Sequence, residues 1–144
     1  MESMNDCGFK EVELKLKVPD ENTLGKILQD YHILKLCRHG PRINHYETTY
    51  YDTEKRQLMK RRVAYRIRQL GGEYVATLKG YGYLKNGLAI RDEWNKTLDS
   101  NRPTLKPFAD LPIGKELIEV IGKAELLPLF STRFKRITLD LTCE

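Results

Sequence analysis

Charged side chains at alternate positions are the feature of this sequence that could carry chemistry. Near the N-terminus, Glu11, Glu13 and Lys15 are each separated by one residue, and Arg66 and Arg68 have the same spacing farther along the chain. Residues two apart on a β-strand point to the same face of a sheet. Two carboxylates on one face are oxygen ligands that suit Mg²⁺ or Mn²⁺, whereas two guanidiniums bind phosphate oxygens through paired hydrogen bonds.

Three later segments carry polar and charged residues in the same alternation. Their same-face pairs are Thr77 and Lys79, Arg91 and Glu93, and Phe134 and Arg136. If the strands close into one barrel, these faces meet inside it, where unpaired charge is costly. A polyphosphate would satisfy the cations, and a metal ion would let the glutamates lie beside the phosphates. The pattern therefore predicts one site that combines cations, glutamates, a metal ion and a polyphosphate.

Each pattern has a simpler interpretation when it is taken alone. The glutamate pair near the N-terminus could line a solvated strand face. Arg66 and Arg68 could protect an exposed edge strand from pairing with other chains. The joint appearance of the patterns, in order along the chain, favours the site. The Lys-Arg-Arg run at residues 60–62 is interpreted as a solvated turn.

Hydrophobic periodicity predicts the elements that must position these residues. Alternation of apolar and polar residues predicts strands over residues 9–18, 45–52, 63–70, 73–79, 89–98 and 132–141. The order of elements is strand, helix, several strands, helix, strand. This order predicts a mainly β fold of the α+β class, organised as one domain over residues 1–144.

Helices and turns connect the predicted strands. A spacing near 3.6 residues predicts helices over 21–35 and 113–124, and Asp20 is placed to cap the first of them. The glycine pair at 71–72 indicates a hairpin. The glycine-rich stretch at 80–87 indicates a flexible loop.

Bulk composition limits the class of protein. The chain has 144 residues, of which 40% are apolar and 31% are charged, which is typical of a globular domain and not of a disordered chain. No apolar run is long enough to span a membrane and no signal peptide is visible, so the expected location is the cytoplasm. The net charge of +5 favours an anionic partner.

The cysteines give no metal or disulfide pattern. Cys7, Cys37 and Cys143 are far apart, no C-x-x-C pair occurs, and the three histidines do not complete a zinc-finger spacing. We expect all three to be free thiols.

The alternating charges also carry a family resemblance. The sequence resembles the CYTH superfamily of triphosphate tunnel metalloenzymes, which includes inorganic triphosphatases, thiamine triphosphatases and class IV adenylate cyclases. The E-x-E-x-K strand at residues 11–15 is the hallmark of that superfamily. Further stretches match in order, at residues 50–53, 65–68, 76–80, 87–88, 91–94 and 129–136. The ordered set covers about residues 9–141 and looks most like bacterial inorganic triphosphatases.

The resemblance implies an eight-stranded antiparallel β-tunnel with flanking helices and a role for each site residue. The catalytic residues would be Glu11, Glu13 and Lys15, and the ligands of Mg²⁺ or Mn²⁺ would be Glu11, Glu13 and Glu93. The residues that bind the triphosphate would be Lys15, Arg66, Arg68, Lys79, Arg91 and Arg136. The implied reaction is metal-dependent hydrolysis of inorganic triphosphate or of a triphosphorylated small molecule.

The sequence departs from the family pattern after Arg136. Family members continue with strands that carry further glutamates, whereas this sequence ends at Glu144. We therefore expect an incomplete tunnel that lacks roughly two strands and has two exposed edges. A second copy of the chain could pair with those edges, so a homodimer is an expected partner arrangement.

Three other functions are consistent with parts of the sequence. A class IV adenylate cyclase would use the same site, but no sequence feature requires an adenine pocket. A polyphosphate-binding or nucleotide-binding module without turnover would explain the missing late glutamates. Binding of RNA through charge and tyrosines is the weakest alternative, because strand tyrosines usually pack within the fold. We expect no nucleic-acid partner and no membrane partner.

Overall fold

One antiparallel sheet of six strands forms the centre of this computed structural model, which describes residues 9–142. The strands are β1 (Phe9–Glu13), β2 (Arg42–Asp52), β3 (Ala64–Leu70), β4 (Glu73–Lys85), β5 (Leu88–Leu98) and β6 (Leu127–Thr138). They lie in the order β1-β5-β4-β3-β2-β6, and every neighbouring pair is antiparallel. The predicted mainly β fold with flanking helices is confirmed.

The sheet is open at both edges. Within residues 9–142, β1 pairs only with β5, and β6 pairs only with β2. The tunnel that the resemblance implies is therefore present as an unclosed sheet of six strands.

The core lies between one face of the sheet and a helical layer formed by the segments that follow β2 and β5. The helices are α1 (Glu21–Leu28), α2 (Tyr31–Leu36), α3 (Gln57–Lys60) and α4 (Pro112–Ile121), and a short 3₁₀ helix spans Lys106–Phe108. Tyr65 and Leu78 of the sheet are fully buried in one cluster with Phe108 and Leu117. Gly114 permits this packing, because a Cβ there would lie 1.7 Å from the Phe108 carbonyl oxygen. No helix within the described residues is long and apolar enough to cross a membrane.

The first strand is shorter than predicted. The alternating pattern extends to Val18, but β1 ends at Glu13, which pairs with Ala89 near the start of β5. The β4–β5 hairpin ends just beyond that point, so residues 14–18 have no neighbouring strand to bond. Lys15 consequently lies outside the sheet, with its side chain 83% exposed.

The helix predicted over 21–35 is in fact two helices. Asp20 caps the first one as predicted, because its carboxylate accepts a backbone hydrogen bond in the first turn. Asp30 then caps the second, accepting hydrogen bonds from the backbone nitrogens of His32 and Ile33. An Asp side chain that bonds to nearby backbone competes with a continuous helix, which accounts for the break. Neither helix buries a side chain fully.

The prediction of a flexible loop at 80–87 is wrong. The strand β4 continues through Gly82 to Lys85, and Asn86 and Gly87 alone make the turn. Both turn residues have positive φ, 52° and 78°. Asn-Gly is the pair favoured in two-residue hairpins, because both of its residues tolerate this conformation. The Asn-Gly signal therefore outweighs the general glycine content of the stretch.

The bounds of β2 and β6 also differ from prediction. Both begin earlier, at Arg42 and Leu127, and β6 ends at Thr138. The two strands pair with each other from Arg42–Thr138 to Asp52–Leu127, so mutual pairing sets their ends. Pro128 is tolerated because β6 is an edge strand.

Two smaller predictions can be compared with the structure. Residues 61–62 form an exposed turn, whereas Lys60 is the last residue of α3, so the predicted turn is confirmed for its last two residues alone. Cys37 is a free thiol, as predicted, whereas Cys7 and Cys143 lie outside the described residues.

Candidate active site

The cross-strand register places the predicted charged residues on one face of the sheet, opposite the core. Directly opposite residues of neighbouring strands share a face, and Glu11 lies opposite Arg91 while Lys79 lies opposite Glu93. The row continues across the other strands with Arg66 opposite Thr77, Arg68 opposite Thr48, and Arg136 opposite Asn44. We call this surface the charged face.

On the β1–β5–β4 side of the charged face, Lys79 lies between two carboxylates. Its Nζ donates a hydrogen bond to Glu11 Oε2 at 2.8 Å and lies 2.9 Å from Glu93 Oε2. The Lys79 and Glu93 side chains are only 15% and 10% exposed. We call these three residues the carboxylate cluster. Its net charge is negative, because one ammonium faces two carboxylates.

Glu93 is held in its charged form. Burial alone would raise the pKa of this carboxyl, but the Lys79 ammonium, the Asn95 amide and the Arg66 charge together lower it below its usual range. Asn95 Nδ2 donates to Glu93 Oε1 at 3.1 Å. Glu93 Oε2 is buried and lies 2.9 Å from the Lys79 Nζ as an ion pair.

On the β3–β2–β6 side, three guanidiniums have no carboxylate partner among the residues that the structure describes. Within residues 9–142, no ion pair involves Arg66, Arg68 or Arg136. Arg66 Nε is buried and has no hydrogen-bond partner, whereas Arg68 Nε donates to Thr48 Oγ1 at 3.3 Å. Burial lowers the pKa of Arg68, and the Arg66 and Arg136 charges lower it further. We call these three residues the arginine cluster, and its unpaired positive charge favours an anion.

Two neighbouring cavities lie on the charged face. Glu11, Lys79 and Arg91 line one of about 300 Å³. Arg66 and Glu93, with other residues, line one of about 280 Å³. The Glu93–Lys79 ion pair joins the two, so an extended anion could contact both clusters.

Two predicted catalytic residues lie at the rim of the first cavity. Glu13 is on the charged face with its side chain 40% exposed, and Lys15 contacts it as an ion pair at 3.6 Å. The structure does not bring Lys15 into contact with the carboxylate cluster. Within the described ranges, no three acidic, histidine or cysteine side chains are grouped closely enough to hold a metal ion. The roles assigned to Glu13 and Lys15 therefore stay predictions.

The sequence patterns do not indicate three residues that contact the site. Thr48 and Asn95 bond to Arg68 and Glu93, and the Tyr46 ring lies against the arginine cluster. Each lies at the same strand parity as the charged face. The missing information is the register between strands, which shows that Thr48 lies directly opposite Arg68.

A comparison with sequence models of protein families gives a match to the CYTH domain over residues 10–141. This chain belongs to the CYTH family. CYTH proteins are triphosphate tunnel metalloenzymes, which act on triphosphate or nucleotide substrates and generally depend on a metal. The charged face carries the charged residues of β1, β3, β4, β5 and β6 that resemble this family, whereas Lys15 lies outside the sheet. A comparison with curated proteins finds no match.

A comparison with solved structures finds similar chains. One is described as a candidate adenylyl cyclase from Hippeastrum with a dominant triphosphatase activity, at a TM-score of 0.60 and 18% identity, covering 91% of this chain and 66% of that one. Another is described as a candidate adenylate cyclase from Bacillus halodurans, at a TM-score of 0.49 and 18% identity, covering 88% of this chain and 63% of that one. This CYTH chain thus spans less than two thirds of either chain, and at this identity the first likeness shows the fold alone.

The carboxylate cluster fits the chemistry of a hard divalent metal. Glu11 and Glu93 direct oxygens at one position, which the Lys79 ammonium occupies. Carboxylate oxygens are the ligands that Mg²⁺ and Mn²⁺ prefer. Glu93 Oε2 is buried in an ion pair with Lys79, so a divalent ion at this position would replace that ammonium as its partner. Glu13 lies two residues along β1 from Glu11, on the same face.

Proposed function

We propose that this CYTH chain binds a triphosphate on the charged face and hydrolyses it with the help of Mg²⁺ or Mn²⁺. The observation that carries the proposal is that the arginine cluster lies beside the carboxylate cluster on one face of the sheet. In the described part of the chain, the arginine cluster has no carboxylate partner. A hydrolase that acts on a triphosphate needs these two parts, because phosphoryl transfer depends mainly on positioning and charge stabilisation.

The cationic residues would divide the triphosphate between them. Arg66, Arg68 and Arg136 would bind phosphate oxygens at the β6 side, where the unsatisfied Arg66 Nε supplies a donor. Arg91 lies opposite Glu11 and would bind the other end of the anion. Lys79 would turn from the carboxylates towards a phosphate oxygen.

The carboxylates would hold the metal and would disfavour positions of the anion away from the arginine cluster. Glu11, Glu13 and Glu93 are the proposed ligands, and a bound divalent ion would polarise the phosphoryl group under attack. In its absence the carboxylates repel phosphate oxygens, so they direct the anion towards the arginine cluster. Lys15 is proposed as a rim residue that contacts the anion at the cavity mouth, since its side chain is exposed beside Glu13.

Calorimetric titration with inorganic triphosphate in EDTA tests the binding half of the proposal. We expect Arg136→Ala to weaken binding about tenfold or more, because a hydrogen bond to a charged group contributes about 1.5–3 kcal/mol. The matched control is Arg133→Ala, since Arg133 has the opposite parity on β6 and pairs with Glu47 at 3.3 Å. Equal weakening by both variants would show that only net charge matters and would contradict a specific site.

A polyphosphate-binding module without turnover is a second candidate. It is favoured by the absence, within residues 9–142, of a ready cluster of three metal-holding side chains. Tight binding of triphosphate without release of phosphate under any metal would support this candidate over the hydrolase.

A class IV adenylate cyclase activity is a third candidate. The Hippeastrum structure, which has the same fold, is described as a candidate adenylyl cyclase with a dominant triphosphatase activity. Analysis of the products from ATP separates the two reactions. Cyclic AMP and pyrophosphate would indicate the cyclase, whereas phosphate release would indicate the triphosphatase.

We also propose that a second copy of the chain pairs with the open edges of the sheet. The backbone groups on the outer sides of β1 and β6 have no strand partner in the described part of the chain, and such edges readily pair with another strand. Apolar side chains lie exposed near these edges, including Val12 at 56% and Leu129 at 38%. Pairing would cover them and would enclose the charged face.

A further inference from the structure

Two aromatic rings lie under the guanidiniums of the arginine cluster. The Arg68 Cζ lies 4.7 Å from the Tyr46 ring centre and 5.8 Å from that of Phe134. The Arg136 Cζ lies 5.4 Å from each of the same two centres. The two rings contact each other at 5.5 Å, tilted by 43°. Both guanidiniums therefore share one pair of rings.

This arrangement addresses a physical difficulty of the arginine cluster. Arg68 and Arg136 carry like charges and have no carboxylate partner among the described residues, so they would tend to swing apart into solvent. A cation above a ring face is attracted by the negative face of the π-system. Two rings shared by two cations offset part of their repulsion and limit the directions that the guanidiniums can adopt.

A neighbouring aromatic pair shows that the arrangement is selective. Tyr50 and Phe130 lie on the same strands and the same face, stacked with their centres 4.7 Å apart. No guanidinium lies over either ring within residues 9–142. A pair of aromatic rings across β2 and β6 therefore does not by itself place arginine side chains over the rings.

We propose that Tyr46 and Phe134 are positioning residues that hold Arg68 and Arg136 in a convergent pair for adjacent phosphoryl groups. The inference rests on the proposed binding of a triphosphate to the charged face. Neither ring needs to touch the anion. Each acts by fixing a guanidinium before the anion arrives, which lowers the conformational entropy lost on binding.

The first test needs no ligand. Protons above an aromatic ring are shifted upfield in NMR spectra. The side-chain Nε–H signals of Arg68 and Arg136, each assigned from its Arg→Lys variant, should therefore move downfield in Phe134→Leu and stay in place in Phe130→Leu. Signals of Arg68 and Arg136 that stay in place in Phe134→Leu would overturn the inference.

The second test is calorimetric titration of the variants with inorganic triphosphate in EDTA. Phe134→Leu and Tyr46→Leu should each weaken binding about fivefold, whereas Tyr46→Phe, which keeps the ring, and Phe130→Leu should stay within about twofold of the wild type. In an Arg68→Ala, Arg136→Ala background, Phe134→Leu should have no further effect, because the ring acts through these arginines.

The outcomes separate this inference from the proposed function. If the wild type binds no triphosphate, the proposed function fails and the positioning role fails with it. If the wild type binds and Phe134→Leu binds equally well, the proposed function stands and the positioning role alone is overturned. Weakening by Phe130→Leu equal to that by Phe134→Leu would also overturn it, because the effect would then reflect packing.

Discussion

The proposed roles of the carboxylate cluster and of the arginine cluster both depend on Lys79. Its ammonium contacts Glu11 and Glu93 at 2.8 and 2.9 Å, in the position that a divalent ion would share. A triphosphate would attract the same ammonium away from the carboxylates. We therefore expect Lys79 to couple occupation of the carboxylate cluster to occupation of the arginine cluster.

Replacement of Lys79 should raise the affinity for a divalent ion when no anion is present. In Lys79→Met, the carboxylates of Glu11 and Glu93 lose the ammonium that lies between them, so Mn²⁺ should bind several-fold more tightly, as measured by electron paramagnetic resonance without phosphate. The same variant should bind triphosphate more weakly. Lys85→Met, on the same strand but in the exposed hairpin, is the control. Unchanged or weaker Mn²⁺ binding by Lys79→Met would contradict the competition.

Glu93 should make stability depend on acid pH. Its pKa is lowered below the ordinary 4.5 in the folded chain, so its contribution is present above that value and is lost as pH falls through the lowered pKa. We expect Glu93→Gln to unfold at a lower temperature than the wild type at pH 7, because Lys79 loses one partner. The difference in thermal midpoint between the wild type and Glu93→Gln should become smaller as the pH falls below 4.5, the ordinary pKa of the carboxyl. A gap that widens in acid would show that Glu93 is not stabilised as a carboxylate.

At the scale of elements, the sequence predicts strands well and their ends poorly. Alternation identifies β3 and β5 almost to the residue, because each has one face in the core and one on the charged face. It fails for β1, where residues 14–18 continue the pattern without a neighbouring strand. Strand ends depend on the partner strand, and a pattern within one segment does not contain that information.

The candidate site, like the strands, could be predicted from the sequence only in part. Alternate spacing identifies which charged residues share a face, and the resemblance implies the roles proposed for them. The Lys79 bridge and the rings under the arginine cluster depend on cross-strand register and side-chain direction. No spacing within a single segment could show that Tyr46 lies opposite Phe134.

Tyr65 fixes the segment that leads from β5 to the helical side of the core. Its buried hydroxyl donates to the Thr104 carbonyl and accepts from the Thr104 nitrogen, both at 3.1 Å. Tyr65→Phe leaves both backbone groups without this partner, so unfolding in urea should show a loss of about 1–3 kcal/mol. Tyr83→Phe, in the exposed hairpin, should change little. An equal effect of the two variants would contradict the anchoring role.

The Tyr65 hydroxyl should also make the folded chain less stable at alkaline pH. Burial raises the pKa of Tyr65 from 10.0 to about 12. Its contribution is therefore complete below 10.0 and is lost as pH rises through the folded value. The thermal midpoint of the wild type should fall towards that of Tyr65→Phe over this range. A difference between the two that stays constant to pH 12 would contradict the assignment.

At the scale of the whole molecule, the open sheet leaves two surfaces that a second copy could cover. One surface consists of the outer edges of β1 and β6. The other surface consists of the apolar sides of α1 and α2, where Leu24 is 38% exposed and Leu34 is 43% exposed. We expect light scattering to give twice the mass of the chain at micromolar concentration. Closure of the charged face should also make triphosphate affinity rise with protein concentration. A single chain mass at all concentrations would contradict pairing of the edges.

The central claim is that a cationic face and a carboxylate cluster together hydrolyse a triphosphate. The most direct measurement is phosphate release from inorganic triphosphate and from ATP, each with Mg²⁺, Mn²⁺ or EDTA. We expect release that requires the metal and is faster with inorganic triphosphate, and we expect Glu93→Gln to abolish it while triphosphate still binds in EDTA. Absence of release under every metal, with triphosphate bound tightly, would contradict hydrolysis and leave the charged face as a binding site alone.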